Sequence, residues 1–158
     1  MTAEEPLTVP LLEQLPAAVR DRVLGMAREV GYAAGQRLFN ADEHASGCWI
    51  IRAGRVAIDL PVPGHGDIVA QTLGPGDIVG WSWLIPPYRW QFGARALDPV
   101  TAVRLDTAGL KAMADEDFAF GYLLVLMLFQ AVAHRLQATR ARLLNLYGNP
   151  SQAGREGR

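Results

Sequence analysis

The sequence predicts a mainly β domain with flanking helices: a jelly-roll β-barrel followed by a long C-terminal helix. Within residues 28–105, short apolar runs alternate with Gly, Pro, Asp and Asn, as in a sheet of many short strands. Residues 106–147 instead carry apolar side chains at helical spacing. Short strands at this spacing favour a closed sandwich or jelly roll over an open parallel sheet. We expect residues 1–147 to form a single domain.

Length, composition and charge limit the classes of protein to which the chain can belong. Its 158 residues suffice for one domain with a buried core, and 50% of them are hydrophobic. The formal net charge of -1 excludes a globally basic nucleic-acid binder. Because Cys48 is the single cysteine, a disulfide framework and a cysteine-based zinc site are excluded as well.

The chain shows neither a targeting signal nor catalytic machinery. Its first residues, MTAEEPLTVP, carry acids where a signal peptide needs a basic and then an apolar stretch. The most apolar run, Phe118 to Phe129, is shorter than the roughly 20 residues that cross a bilayer. His44, His65 and His134 are far apart in sequence, and no nucleophile or carboxylate pair stands out. We therefore expect a soluble cytoplasmic protein that binds no metal and no membrane and is not an enzyme.

Residues 11–27 predict N-terminal helices, because apolar side chains recur at helix-like spacing and Pro16 interrupts them. Residues 28–105 predict the β-roll. The stretch VAIDL, residues 56–60, alternates so that one strand face is apolar and the other mixed. GDIVAQTL and VTAVRL are further strand candidates, and RAGR, PVPGHGD and GPGD predict turns.

Residues 106–147 predict two helices, of which the second is long. Asp106 can cap the short helix, and Asp115 can cap a longer one that ends near Tyr147. Residues 148–158 are mostly polar, and we expect a disordered tail there.

An apolar stripe follows the long helix at heptad spacing. Its positions lie alternately 4 and 3 residues apart over three heptads, the usual minimum for a coiled coil. Past Leu136 the other positions are mostly polar, which favours a seam between two copies; packing on the chain's own barrel is the alternative. This heptad stripe comprises Val125, Phe129, Val132, Leu136, Thr139, Leu143 and Leu146.

The segment GWSWLIPPYRWQFGARAL, residues 80–97, combines many aromatic residues with two arginines. In this aromatic segment, backbone N–H groups at a short helix start in GWSWL would point at an anion. Trp81, Trp83 and Trp90 could then form a stacking wall for a flat ligand, with Arg89 on its charge. Two other interpretations are a surface for a partner protein and simple core filling, with Arg89 stacked on Trp90.

The order of these elements resembles the cyclic-nucleotide-binding domain of the catabolite activator protein type. The markers are Gly35 in AAGQRLF, Gly54 in IIRAGRVAI, and LGPGDIVG at residues 73–80. The aromatic segment follows at the place of the family's phosphate-binding cassette, and HRLQATR looks like its dimer-helix sequence. The resemblance covers residues 11–146 and implies the roll, a homodimer through the long helix and a ligand such as cyclic AMP. No other cofactor is expected.

The cassette departs from the family pattern in its ligand contacts. In the family, a Glu after the last glycine takes the ribose hydroxyl, and an Arg followed by a small hydroxyl residue takes the phosphate. Trp81 stands in the place of that Glu and cannot accept a hydrogen bond. Arg89 falls near the phosphate arginine. The resemblance implies these ligand-binding positions: Gly80, Trp81, Ser82, Trp83, Leu84, Arg89, Trp90, Arg95, Thr139 and Arg140.

The resemblance therefore implies a non-enzymatic regulatory or sensor domain with a divergent phosphate-binding cassette. No helix-turn-helix follows the long helix in the sequence, so we expect no direct DNA binding and an output through a protein partner. The alternative is a ligand-free scaffold or adaptor of the same fold, which docks a partner through the aromatic segment. Whether Arg89 points into or out of the roll distinguishes the two.

Overall fold

The computed structural model describes residues 12–148. The described residues form two compact units, which meet in sequence between Leu124 and Val125. The predicted division into one domain and a tail at 148–158 stays a prediction: Gly148 is the last residue of a helix, and the rest of that tail lies outside the described residues.

The first unit begins with a 3₁₀ helix, Leu12–Gln14, and helix α1, Ala17–Leu24. Pro16 separates them, as the sequence predicts. The helical region ends at Leu24, earlier than the expected residue 27, because the chain turns at Gly25 and pairs as a strand from Ala27 onward.

Eight strands form two four-stranded antiparallel sheets, with the orders β1-β8-β3-β6 and β2-β7-β4-β5. This arrangement confirms the predicted mainly β roll, and the candidates GDIVAQTL and VTAVRL are β5 and β8. The strands are β1 Ala27–Tyr32, β2 Arg37–Phe39, β3 Cys48–Ala53, β4 Val56–Val62, β5 Gly66–Leu73, β6 Ile78–Val79, β7 Gly93–Ala96 and β8 Val100–Leu105.

The predicted turns connect these strands. The β3–β4 turn at Gly54 has a φ of 84°, and a Cβ there would collide with the carbonyl oxygen of Pro99. In the GPGD turn, the carboxylate of Asp77 accepts a hydrogen bond from the backbone N–H of Gly74 at 2.8 Å. The sequence therefore places glycine where another residue would be strained or obstructed.

Two helices follow the roll, α2 Thr107–Glu116 and α3 Phe118–Gly148. Asp106 caps α2 as predicted, since its carboxylate accepts from the N–H of Gly109 at 3.1 Å. The predicted cap of α3 at Asp115 is wrong because α2 continues past that residue. Asp117 takes the role, and its carboxylate accepts from the N–H of Phe120 at 3.1 Å.

The second unit contains the rest of α3, and most of its heptad stripe is exposed. Val125, Phe129, Leu136, Leu143 and Leu146 are all exposed large apolar side chains. Leu144 and Tyr147 are exposed as well, so the apolar surface at the end of the helix is wider than the stripe. The structure thus leaves the stripe largely uncovered within one copy.

Among the helices of residues 12–148, α3 is the one that length and composition would allow to cross a membrane. Its most apolar 18-residue window has a mean hydropathy of 1.5. The run from Phe118 to Phe129 therefore understates how far the apolar stretch extends. Helices of soluble proteins meet the same criterion, which makes it weak evidence for a membrane span.

Candidate ligand site in the aromatic segment

The start of the aromatic segment forms turns, and the short helix expected at GWSWL is not seen. The N–H of Leu84 donates to the carbonyl of Trp81 at 3.1 Å, and that of Ile85 donates to Ser82 at 3.3 Å. An α-helix would next need N–H donors at residues 86 and 87, and both are prolines. The helix dipole that was expected to attract an anion is therefore not formed at GWSWL.

Two of the three tryptophans in the segment belong to the core. Trp83 is 2% exposed and Trp90 is 3% exposed. The indole N–H of Trp83 donates to the carbonyl oxygen of Gly80 at 3.2 Å. Trp90 stacks on Phe39 with ring centroids 3.9 Å apart and planes 13° apart. Trp49 contacts both rings at 5.5 and 6.0 Å, and we call Phe39, Trp49 and Trp90 the aromatic cluster.

Gly80 makes room for this cluster. Its φ is +92°, and a Cβ there would lie 2.7 Å from the six-membered ring of Trp90. The carbonyl oxygen of Gly47 would lie 3.1 Å from the same Cβ. A side chain at position 80 would therefore be obstructed by the chain's own Trp90.

The end of the segment is paired with the loop between β2 and β3. The backbone N–H of Asp42 donates to the carbonyl of Trp90 at 2.7 Å, and the N–H of Trp90 donates to the carbonyl of Glu43 at 3.0 Å. The N–H of Ala45 donates to the carbonyl of Tyr88 at 2.8 Å. Asp42 and Tyr88 both have positive φ, 69° and 59°. The ammonium of Lys111 on α2 lies 4.1 Å from the centroid of the Tyr88 ring. These contacts fix the backbone on both sides of Arg89.

Arg89 itself is exposed, and its guanidinium donates to the backbone carbonyl of Asp42 at 2.6 Å. Arg89 also forms an isolated antiparallel bridge with His44 in that loop. The side chain is therefore held on the outer loop, and it does not join Trp83 and Trp90 in the core.

Arg95 lies on the other face of its sheet from the aromatic cluster. Directly opposite residues of antiparallel strands share a face, and Phe39 is opposite Ala94, whereas Arg95 is opposite Ala57. Gly93 shares the face of Arg95. Arg95 Nε is buried and has no hydrogen-bond partner within residues 12–148.

An ion pair lies on the same face as Arg95. Arg37 holds both oxygens of Asp59 at 3.0 and 2.8 Å, and a Cβ on Gly93 would collide with the pair. Asp59 is 1% exposed, and its hydrogen bond raises the pKa of Arg37 despite partial desolvation. The mixed face that the sequence predicts for VAIDL in β4 is thus covered by the ion pair between Arg37 and Asp59.

The remaining predicted contacts are dispersed. Trp81, Ser82 and Leu84 are half-buried in the turns. Thr139 and Arg140 are exposed on α3, in the second unit. The Thr139 hydroxyl donates to the carbonyl of Arg135 at 2.9 Å, one turn earlier in the same helix.

Two residues that pack against the aromatic segment are missing from the site residues predicted from the sequence. Phe39 and Trp49 complete the cluster, although they lie about 30 to 50 residues earlier in the chain. The sequence carries one indication that the Trp49 ring is closely packed, because a glycine stands two residues before it. A Cβ on Gly47 would collide with the Trp49 ring. Cys48, which lies between Gly47 and Trp49, is buried in β3, and burial raises its pKa to about 12.

Comparison with known proteins identifies the family. The sequence model of the cyclic nucleotide-binding domain matches residues 29–117, more than half of the chain. The chain therefore belongs to the cyclic nucleotide-binding domain family, as the glycine markers and the order of elements imply.

Among curated proteins, the HTH-type transcriptional regulator Cmr of Mycobacterium tuberculosis (strain CDC 1551 / Oshkosh) is 27% identical over 137 residues. That match covers 85% of this chain and 54% of the regulator, so the chain spans about half the length of its curated relative.

Solved structures of two related proteins share the fold. A structure described as a cyclic nucleotide-binding protein from Geobacter metallireducens GS-15 has a TM-score of 0.73 and 25% identity, covering 81% of this chain and 92% of that one. The catabolite activator protein of Thermus thermophilus has a TM-score of 0.67 and 20% identity, covering 87% and 63%.

Proposed function

We propose that the chain is a non-enzymatic regulatory domain that acts through contacts with other protein molecules. Its family membership and the transcriptional regulator among its relatives support a regulatory role. We also propose a location in the cytoplasm, which the same relative supports because a transcriptional regulator works where DNA is. The observation that carries the finer proposal is the position of Trp90.

The cassette is proposed to be divergent, with weak or altered binding of cyclic AMP. Trp90 packs against Gly80, where the resemblance implies that ligand should approach the backbone. Arg89, the predicted partner of the phosphate, is instead bonded to Asp42. Trp81 supplies no acceptor for a ribose hydroxyl. A lost charged hydrogen bond is worth roughly 1.5–3 kcal/mol, about one to two decades in affinity.

We further propose a homodimer through the heptad stripe of α3. Val125, Phe129 and Leu136 are exposed in the single chain, and a second copy offers the same apolar stripe in return. Dimerisation would bury these side chains and remove an extended apolar surface from water.

The alternative function, a ligand-free adaptor, is favoured by one observation. Arg89 points out of the roll, and the exposed side chains of Ile85 and Phe92 lie in the same segment. In that case the segment would contact a partner protein, and cyclic nucleotides would have no role.

Calorimetric titration with cyclic AMP and cyclic GMP tests the proposal. We expect wild-type binding to be weak, Trp81→Glu to strengthen cyclic AMP binding by restoring an acceptor, and Arg89→Ala to remove any anion binding. Arg95→Ala tests the other arginine of the segment as the partner of the phosphate. The experiment uses one salt concentration throughout, because phosphate recognition depends on screening.

Each outcome favours one interpretation. Tight cyclic AMP binding by the wild type would contradict the divergent cassette. Loss of binding in Arg95→Ala together with unchanged binding in Arg89→Ala would assign the phosphate to Arg95. No binding in any variant, including Trp81→Glu, would favour the adaptor.

A further inference from the structure

A polar cleft of about 510 Å³ opens at one end of the β1-β8-β3-β6 sheet, in the first unit. It lies where β1 begins, β8 ends and the loop before β3 arrives. Its volume falls within the range of about 300–1,000 Å³ that is typical of small-molecule sites. No residue of the aromatic segment lines it. The polar side chains that line the cleft belong to Arg28, Ser46, Arg104, Asp106 and Thr107.

Two arginines face each other in this cleft. Arg28 and Arg104 are directly opposite in the β1–β8 ladder, so their side chains leave the same face of the sheet. Like charges at directly opposite positions destabilise a sheet. Within residues 12–148, neither guanidinium forms an ion pair, whereas the arginines at 37, 52 and 55 each pair with a carboxylate. Within the described part of the chain, both guanidinium groups are thus left without an ion-pair partner.

The Arg104 guanidinium is held in place before any ligand arrives. It lies over the ring of Trp49, with Cζ 5.3 Å from the centroid, and Nη2 donates to the carbonyl of Ser46 at 3.3 Å. Arg104 is half-buried. A fixed guanidinium loses little side-chain entropy when it forms bidentate hydrogen bonds to an oxyanion.

The other polar groups set the charge of the ligand. Ser46 and Thr107 add hydroxyl-bearing residues, and Asp106 adds one carboxylate, which caps α2 through the N–H of Gly109. Beside this carboxylate, the two guanidinium groups keep the cleft net positive. Each guanidinium can donate bidentate hydrogen bonds, and a phosphate monoester offers three strong acceptor oxygens. We propose that this cleft is a second binding site, which takes the phosphate group of a small phosphorylated molecule.

The site also contacts the aromatic cluster through one side chain. An oxyanion that draws Arg104 toward it would change the cation–π contact on Trp49. The indole N–H of Trp49 donates to the Tyr32 hydroxyl at 2.9 Å, and its NMR signal, once assigned by mutation, can be followed during a titration. Trp49 is therefore a built-in reporter of the cleft.

The test is a titration of the full chain with inorganic phosphate, followed by calorimetry and by the Trp49 indole signal. Acetate at matched ionic strength is the monoanion comparison. Arg28→Gln and Arg104→Gln should each weaken phosphate binding about tenfold or more, because each removes a charge-assisted partner. Arg55→Gln, an exposed arginine on the β3–β4 turn, is the matched control and should leave the affinity unchanged.

Asp106→Asn provides a variant with the opposite expected sign. Asn is as good an N-cap as Asp, so α2 should remain capped while the nearby negative charge is removed. Phosphate affinity should then rise several-fold. A fall would contradict the proposed position of the anion.

Three results would overturn the proposal: no saturable phosphate binding by the wild type, wild-type affinity retained in both Arg28→Gln and Arg104→Gln, or acetate binding as tightly as phosphate. Loss of phosphate binding in Arg89→Ala, with binding retained in Arg104→Gln, would place the anion in the cassette instead. Failure of cyclic AMP to bind would leave the cleft proposal intact, because the two sites share no lining residue.

Discussion

The aromatic cluster of the roll and the heptad stripe of α3 use similar side chains with opposite outcomes. Phe39 is 8% exposed and stacks on Trp90, whereas Phe129 is 66% exposed. Both regions are recognisable as apolar from the sequence. They differ in whether one copy of the chain can cover them.

The difference arises from backbone geometry. In the roll, Gly47 and Gly80 let two indole rings approach the main chain more closely than a Cβ would permit. A straight helix cannot fold over its own side chains, because residues of one stripe point outward along its length. The cluster is therefore completed within the chain, whereas the stripe needs a second surface.

The largest effect is expected from charges in the stripe. Leu136→Glu combined with Leu143→Glu should convert a dimer into a monomer, because carboxylates would have to be buried in an apolar seam. Light scattering measures the mass directly. Gln137→Glu with Asn145→Glu adds the same charge at exposed positions outside the stripe and should remain dimeric. A monomeric wild type would contradict the proposal that the heptad stripe forms a dimer interface.

A matched pair of phenylalanine truncations compares the two regions directly. Phe39→Ala should lower the free energy of unfolding by about 3–5 kcal/mol, because it leaves a cavity beneath Trp90. Phe129→Ala should leave the stability of the dissociated chain nearly unchanged and weaken association instead. Urea unfolding at low and high protein concentration separates the two effects. Equal losses of unfolding free energy in both variants would show that Phe129, like Phe39, is buried within a single copy of the chain.

Two glycine substitutions isolate the contact with Trp90. Gly80→Val and Gly76→Val both force a β-branched residue into a positive φ, 92° and 89°. Nothing lies within 4 Å of a Cβ at Gly76, whereas the Trp90 ring obstructs one at Gly80. Gly80→Val should therefore cost about 1–3 kcal/mol more than Gly76→Val in urea unfolding. Identical losses would mean that Trp90 moves aside freely.

The smallest effect is expected from the buried thiol. Desolvation raises the pKa of Cys48 from 9.0 to about 12, although the nearby Trp83 indole opposes the shift. The folded state holds this proton more tightly, so the contribution to stability is complete below pH about 9 and is lost toward pH 12. Between pH 8.5 and 9.5 the loss should stay below about 1.4 kcal/mol and be absent in Cys48→Ala. Unfolding curves that show the same pH dependence in both would contradict this burial.

Local patterns were sufficient to predict most elements of the fold. Strands β5 and β8 follow from apolar runs bounded by turn residues, and the break at Pro16 follows from its missing N–H. The cap of α3 was misassigned, because any of the acids at 115–117 satisfies the local rule. Which acid caps depends on where α2 ends.

The sequence by itself determined the strand candidates, the glycine turns, the long helix and its stripe, because these depend on interactions between neighbours in the chain. The roll followed from the order of these elements and from the family resemblance, although its sheets pair distant strands such as β1 and β8. Only the tertiary structure decided where the aromatic segment points. Trp90 turns inward because Phe39, Trp49 and Gly80 form a space that fits its ring. Arg89, the adjacent residue, turns outward to the carbonyl of Asp42. Such contacts join residues far apart in sequence, so no local pattern encodes them.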